Sequence, residues 1–176
     1  ANMVTYMESH DEERVIYKAL NYGNSNGNYN VKNLNTSLER LKSAGSILFL
    51  LPGPKMIWQF GEIGYDVSID YNGRLGRKPI KWNYLNELNR KNIYNTWSYL
   101  IGLRKKHSIF SDPQSKIDTW LNSSIKKIQY SLGKENAILI ANFDVKTLQT
   151  SVSLPSAGHW YHATLGEKIY IENIEL

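Results

Sequence analysis

The chain has 176 residues, 41% of them hydrophobic and 21% charged, with a formal charge of +5. That length can bury a real core, and neither a long apolar run nor an acidic, aromatic-poor stretch is present, so membrane insertion and general disorder are excluded as readings. The absence of cysteine removes disulfides and thiolate metal sites. The basic residues are dispersed without interleaved aromatics, which argues against nucleic acid as a partner.

The N-terminus, Ala1 to Tyr6, has no basic leader followed by an apolar segment, and it reads as the start of a strand. Met3 to Met7 is short, apolar and β-prone, predicting a buried strand that ends in the polar cluster Glu8-Ser9-His10-Asp11-Glu12-Glu13-Arg14. The carboxyl ends of parallel strands are where α/β folds place their chemistry, so this cluster is the first site candidate. Asn21 to Asn33, rich in Asn with Gly23 and Gly27, predicts a mobile surface loop.

Thr36 and Glu39 have capping-box spacing, and Leu38, Leu41, Ile47 and Leu48 follow helical periodicity, so a helix is predicted up to Pro52-Gly53-Pro54. Lys55 to Phe60 then reads as a second buried parallel strand, with Gly61 to Asp66 as a polar turn. Ile93, Trp97, Leu100 and Ile101 mark a second helix whose basic end, Arg104-Lys105-Lys106-His107, complements its own dipole. Ser111-Asp112-Pro113 breaks the pattern. Beyond it the period becomes two: Leu148, Thr150, Val152 and Leu154 alternate with polar residues, and Gly133 to Asn136 separates two β-rich runs as a hairpin would. The last third is therefore predicted to be an antiparallel β domain.

Tyr6-Met7-Glu8-Ser9-His10-Asp11 resembles the aromatic-x-E/D-N/S-H-D segment that ends the seventh barrel strand in the alpha-amylase family. Gly53 to Gly64 resembles the family's eighth-strand segment, a G-x-P-apolar run ending in G-x-E-x-G, although here the proline directly follows the glycine. Arg77-Lys78-Pro79-Ile80-Lys81-Trp82 is similar to the R-x-P-apolar-x-W element that follows, and the helix ending at His107 resembles the last barrel helix. The resemblance spans nearly the whole chain. It implies the last two βα units of a (β/α)8 TIM barrel over residues 1–111, then a small antiparallel β-sandwich over residues 112–176.

The same resemblance implies a retaining hydrolase of α-glucosidic bonds in starch-like glucans, with an α-glucan or maltooligosaccharide as partner. The family's nucleophilic Asp and acid/base Glu would both lie upstream of Ala1, leaving this chain inactive alone. Asp11 would be the transition-state stabiliser. His10 and Arg14 are assigned to substrate binding, joined by Tyr65 and Trp82 from loops on the presumed active face. No cofactor is implied for this chain, and calcium stays open for the parent. A pairing of Asp11 with Glu62 as two catalytic carboxylates is the weaker alternative, because the family gives Glu62 a structural role.

Trp58 and Trp97 are assigned to the core, and His107, His159 and His162 lack partners at metal-ligand spacing. Asn35-Thr36-Ser37 and Asn122-Ser123-Ser124 match the glycosylation sequon, a short pattern of low specificity. Two parallel strands cannot close a barrel, so self-association through the open edge is expected unless other barrel elements cover it. A polymer substrate points to an extracellular or periplasmic parent. The rival reading is a noncatalytic carbohydrate-binding or stabilising module.

Overall fold

The computed structural model describes residues 3–172. Helix α1 (Val15–Tyr22) is followed by a minimal hairpin of β1 (Ser25–Asn26) and β2 (Tyr29–Asn30), then by helix α2 (Leu34–Leu50). Short 3-10 turns at Gly61–Ile63 and Trp82–Asn86 lead into helix α3 (Leu88–Lys106). After a further 3-10 turn at Ser108–Phe110 come β3 (Lys116–Trp120), β4 (Ile125–Leu132), β5 (Glu135–Asn142), β6 (Gly158–His162) and β7 (Glu167–Ile171). The mixed class and the partial architecture are as expected. No barrel closes among the described residues.

The two predicted parallel strands do run side by side, but among the described residues they pair only through a single parallel bridge between Thr5 and Lys55. Thr5 N–H donates to the Pro54 carbonyl and Met56 N–H to the Thr5 carbonyl, each at 3.0 Å. Nor are they buried on both faces, as the sequence suggested: Met3 is 73% and Val4 49% exposed. A parallel ladder needs flanking strands and covering helices, and no third parallel strand stands beside this pair among the described residues. Residues 1–2 and 173–176, which open the first predicted domain and close the second, lie outside the described residues.

Helix α2 begins before the predicted cap at Thr36. Asn33, in extended conformation, accepts hydrogen bonds from the backbone of Asn35 at 3.0 Å and Thr36 at 3.3 Å, so its side chain satisfies the first free N–H groups. The other end of α2 carries no basic residue of its own. Arg104 of α3 supplies the charge instead, donating to the carbonyls of Phe49 at 2.8 Å, Gly53 at 3.1 Å and also Leu51. Arg104 thus stands in the last turn of its own helix as predicted, with Lys105 and Lys106, and in addition caps its neighbour.

Helices α2 and α3 lie against each other through Trp97. Its indole donates to the Leu41 carbonyl at 3.3 Å and meets Phe49 edge to face at 5.1 Å. A Cβ at Gly45 would overlap the indole ring, so the glycine in mid-helix is what permits this approach. Ile16 of α1, the unforeseen helix, joins Leu38, Leu41, Ile93 and Leu100 in the same cluster.

That cluster does not stop at residue 111. Ile109, Phe110, Ile128 and Tyr130 belong to it, so strand β4 packs on the helices. β4 lies between β3 and β5 in an antiparallel sheet, and β6 pairs with β7 in a second small one. The predicted hairpin turn is tighter than expected, since Leu132 pairs with Glu135 and leaves only Gly133, at φ 59°, and Lys134. The alternating stretch Leu148 to Leu154 forms no ladder. Val152 and Leu154 are half-buried between exposed Ser151 and Ser153, but Leu148 and Thr150 are exposed as well, so the alternation matches a covered face only in its second half.

Tyr130 is fully buried, and its hydroxyl donates to the Leu50 carbonyl at 2.7 Å, joining the sheet to the end of α2. Burial pushes its pKa from an ordinary value near 10 up to about 12. The folded state therefore keeps this proton after the unfolded chain has lost it, and stability present below pH 10 declines as pH rises toward 12. Replacing Tyr130 by Phe should cost about 1 to 2 kcal/mol near neutrality. Urea denaturation at several alkaline pH values should also show a shallower decline for the variant over that window.

Candidate functional site

At the end of the first parallel segment the chain turns inward and buries Glu8, which is only 7% exposed. One carboxylate oxygen accepts from Arg14 Nη2 at 2.7 Å, and the other accepts from the Val15 N–H at 2.8 Å. Glu8 thereby caps α1, whose flanking residue Arg14 provides no side-chain cap. Arg14 Nη2 also donates to the Gln59 carbonyl at 2.7 Å, tying the start of α1 to the end of the second parallel segment. The fit is close: a Cβ at Gly61 would lie 2.6 Å from the Glu8 carboxylate.

The guanidinium of Arg14 lies over the ring of Tyr65 at 4.4 Å. Tyr65 is buried, stacks on Phe60 at 5.7 Å and donates its hydroxyl to the Pro79 carbonyl at 2.7 Å. Burial raises its pKa, with the Arg14 charge opposing the rise. A second buried arginine, Arg90 of α3, holds the following turn. It pairs with Glu87 at 2.7 Å and Asp66 at 2.9 Å, donates to the Gly64 carbonyl and lies 3.7 Å over the Tyr84 ring.

Between Glu8 and Arg14 the chain bulges outward and presents His10 and Asp11. His10 Nε2 stands 3.2 Å from Asp11 Oδ2, with the two side chains 72% and 67% exposed. Their backbone is nevertheless fixed: the Asp11 N–H donates to Ser9 Oγ at 3.0 Å, and Arg74 Nη2 donates to the Asp11 carbonyl. Glu13 closes the far side of the bulge. Burial would raise its pKa, but hydrogen bonds from the Ser68 hydroxyl and from the backbone of Arg14 and Ile69 outweigh it and hold the carboxyl below its ordinary value.

Three of the residues singled out from sequence, His10, Arg14 and Tyr65, line one cavity of about 220 Å³ together with Trp58 and Arg74. Asp11 sits beside His10 at its edge. Trp82 is placed elsewhere. It is 65% exposed, meets Phe60 edge-on at 4.8 Å, and borders a separate cavity of about 460 Å³ with Ile57, Tyr94 and Glu62. Glu62 and His10 therefore face different cavities. Trp58, assigned to the core, is half-buried with its ring 5.7 Å from His10, because the parallel pairing ends at Lys55 and leaves its side chain on the cavity side. Trp97 is core as expected.

Arg74 and Lys78 also line the His10 cavity, and the sequence reading did not single them out for the site. Lys78 Nζ reaches four backbone carbonyls, those of Gly73 at 2.7 Å, Tyr71 at 2.8 Å, Gly76 at 3.0 Å and Arg74 at 3.4 Å. Their segment has no periodicity to flag it; its signals are the concentration of cations and, for Lys78, its place inside the Arg77 to Trp82 element. His159 and His162 lie exposed on β6, and among the described residues no three His, Cys, Asp or Glu side chains gather as metal ligands would.

If Arg14 were replaced by Met, Glu8 would stay buried without its cation, a change that typically costs about 3 to 5 kcal/mol. Urea denaturation of Arg14→Met should show that loss, whereas His10→Ala, at an exposed position, should stay within about 0.5 kcal/mol of the parent chain.

No protein-family model matches the sequence, and no curated protein matches it either. Among solved structures, an alpha-amylase from Anoxybacillus, described as belonging to a new glycosyl hydrolase subclass, is similar over 98% of this chain and 34% of its own, with a TM-score of 0.69 and 17% identity. An alpha-amylase from H. orenii is similar over 91% of this chain and 34% of its own, with a TM-score of 0.57 and 17% identity. The chain thus spans about a third of the length of these two structures, and over that third it has the alpha-amylase fold.

Proposed function

We propose that the chain forms one wall of the active site of a retaining glycoside hydrolase acting on α-glucosidic bonds of starch-like glucans. The observation that carries this reading is the His10 and Asp11 pair, exposed on a bulge whose two ends are locked by the buried pair of Glu8 and Arg14. A rigid base under two exposed, hydrogen-bonding side chains is what positioning a sugar requires. The alpha-amylase likeness of the fold supports it further.

In this role Asp11 accepts hydrogen bonds from sugar hydroxyls most strongly as the ring flattens and positive charge develops, and so favours the oxocarbenium-like transition state. His10 contributes a neighbouring hydrogen bond. The attacking carboxylate and the protonating carboxyl belong to a part of the parent outside this chain. Because a glucan polymer does not cross a membrane, this reading carries with it an extracellular or periplasmic parent.

Two measurements test this. Incubated with soluble starch, the chain alone should release no reducing ends above background; turnover abolished by Asp11→Asn would overturn the division of labour. In the complete enzyme, Asp11→Asn should lower kcat by about a hundredfold or more while leaving KM largely intact. An increase in KM at unchanged kcat would make Asp11 a uniform binding group instead.

A second reading, a noncatalytic carbohydrate-binding module, draws on the β6 and β7 hairpin. His159, Tyr161 and Tyr170 are all exposed there on one face, the His159 and Tyr170 rings 4.9 Å apart. Exposed rings of this kind can stack on sugars. Calorimetry with maltoheptaose separates the two: micromolar binding lost on Tyr161→Ala and unaffected by Asp11→Asn favours the module.

A further inference from the structure

The cavity beside His10 is rich in donors and poor in acceptors. Its lining holds three permanent cations, Arg14, Arg74 and Lys78, and no carboxylate. Glu8 neutralises Arg14 from behind, but neither Arg74 nor Lys78 forms an ion pair among the described residues. Lys78 is committed to backbone carbonyls, so it supplies charge to the cavity. Arg74, with a single hydrogen bond to the Asp11 carbonyl, has free donors to offer.

The two buried arginines behave differently. Arg90 uses Nε, Nη1 and Nη2, all in hydrogen bonds. Arg14, whose side chain is 4% exposed, uses only Nη2; its Nε is buried and donates to no acceptor among the described residues. A buried guanidinium with an unused donor is a costly arrangement, and Arg14 as a residue borders the cavity. A neutral sugar hydroxyl accepts one bond but must also donate one; apart from the Asp11 carboxylate at the cavity's edge, the lining side chains that could accept are the neutral His10, Gln59 and Tyr65. An oxyanion only accepts.

We propose that this cavity binds a hexose carrying an oxyanion, a phosphate ester or a carboxylate, with Arg74 and Arg14 as the donors and the Trp58 ring beside the sugar. The inference rests on the reading of this cavity as part of a sugar site, and it narrows the substrate class within it. The volume of about 220 Å³ suits a single small sugar, since drug-sized ligands occupy pockets of about 300 Å³ upward.

The test is nuclear magnetic resonance titration of the intact chain, following the His10 ring and Trp58 indole signals. Glucose 6-phosphate, glucuronate, inorganic phosphate, glucose and maltotriose serve as separate probes. Glucose 6-phosphate or glucuronate should bind about tenfold or more tightly than glucose and than phosphate, and added sodium chloride should weaken that binding. Arg74→Gln, an exposed position whose change should leave the melting temperature in place, should abolish the tenfold preference. Phosphate binding as tightly as the sugar phosphate would reduce the cavity to a bare anion site and overturn the proposal. If maltotriose shifts the signals and the charged sugars do no better, the anion preference falls while the glucan reading stands; if no sugar shifts them, both fall.

Discussion

A carboxylate and a guanidinium withdrawn from water together must satisfy each other, and the bulge that carries the candidate site is arranged about that requirement at Glu8 and Arg14. Their pairing fixes where α1 starts, because the second Glu8 oxygen takes the Val15 N–H. It also fixes the end of the second parallel segment, because Arg14 holds the Gln59 carbonyl. Buried pairs of this kind contribute little net stability against a well-packed apolar alternative. What this pair supplies is position. The loop between its two members has nowhere to go but outward, and His10 and Asp11 are at its crest.

The same economy appears at a larger scale. Among the described residues only one bridge joins the two parallel segments, so the ladder alone could not hold them in place. Side chains from helices do so instead: Arg104 gathers the carbonyls where α2 runs into the second segment, and Arg90 gathers those of the turn after it. The antiparallel sheet takes part as well, since Tyr130 reaches the same end of α2 and shares its apolar cluster. The frame beneath the site is therefore a set of arginines and a tyrosine directed at backbone carbonyls.

How much of this the sequence revealed depends on the range of the interactions concerned. Helix α3 and the hairpin of β4 and β5 were legible because periodicity and a glycine turn are local. Helix α1 was not, being only eight residues long with its cap at Glu8, outside the stretch where a cap is sought. The start of α2 was misplaced because Thr36 and Glu39 offered a plausible capping pair while Asn33 did the capping. At the site, the motif around His10 was visible, and its meeting with Tyr65 was a matter of tertiary contact. The place of Trp58 depended on where a single parallel bridge ends, which no local pattern encodes, and Arg74 and Lys78 sit in a segment without periodicity.

The cage around Lys78 carries one more implication. An ammonium has three N–H bonds, yet four carbonyls converge on this one, so they answer to its charge as oxygen ligands answer to a metal ion. Here the cation is covalently attached and cannot be drawn away by a chelator. It can be erased by acylation, which would leave the converging carbonyls facing an uncharged amide. The shape of the loop bordering the His10 cavity is thereby bound to the chemical state of one amine.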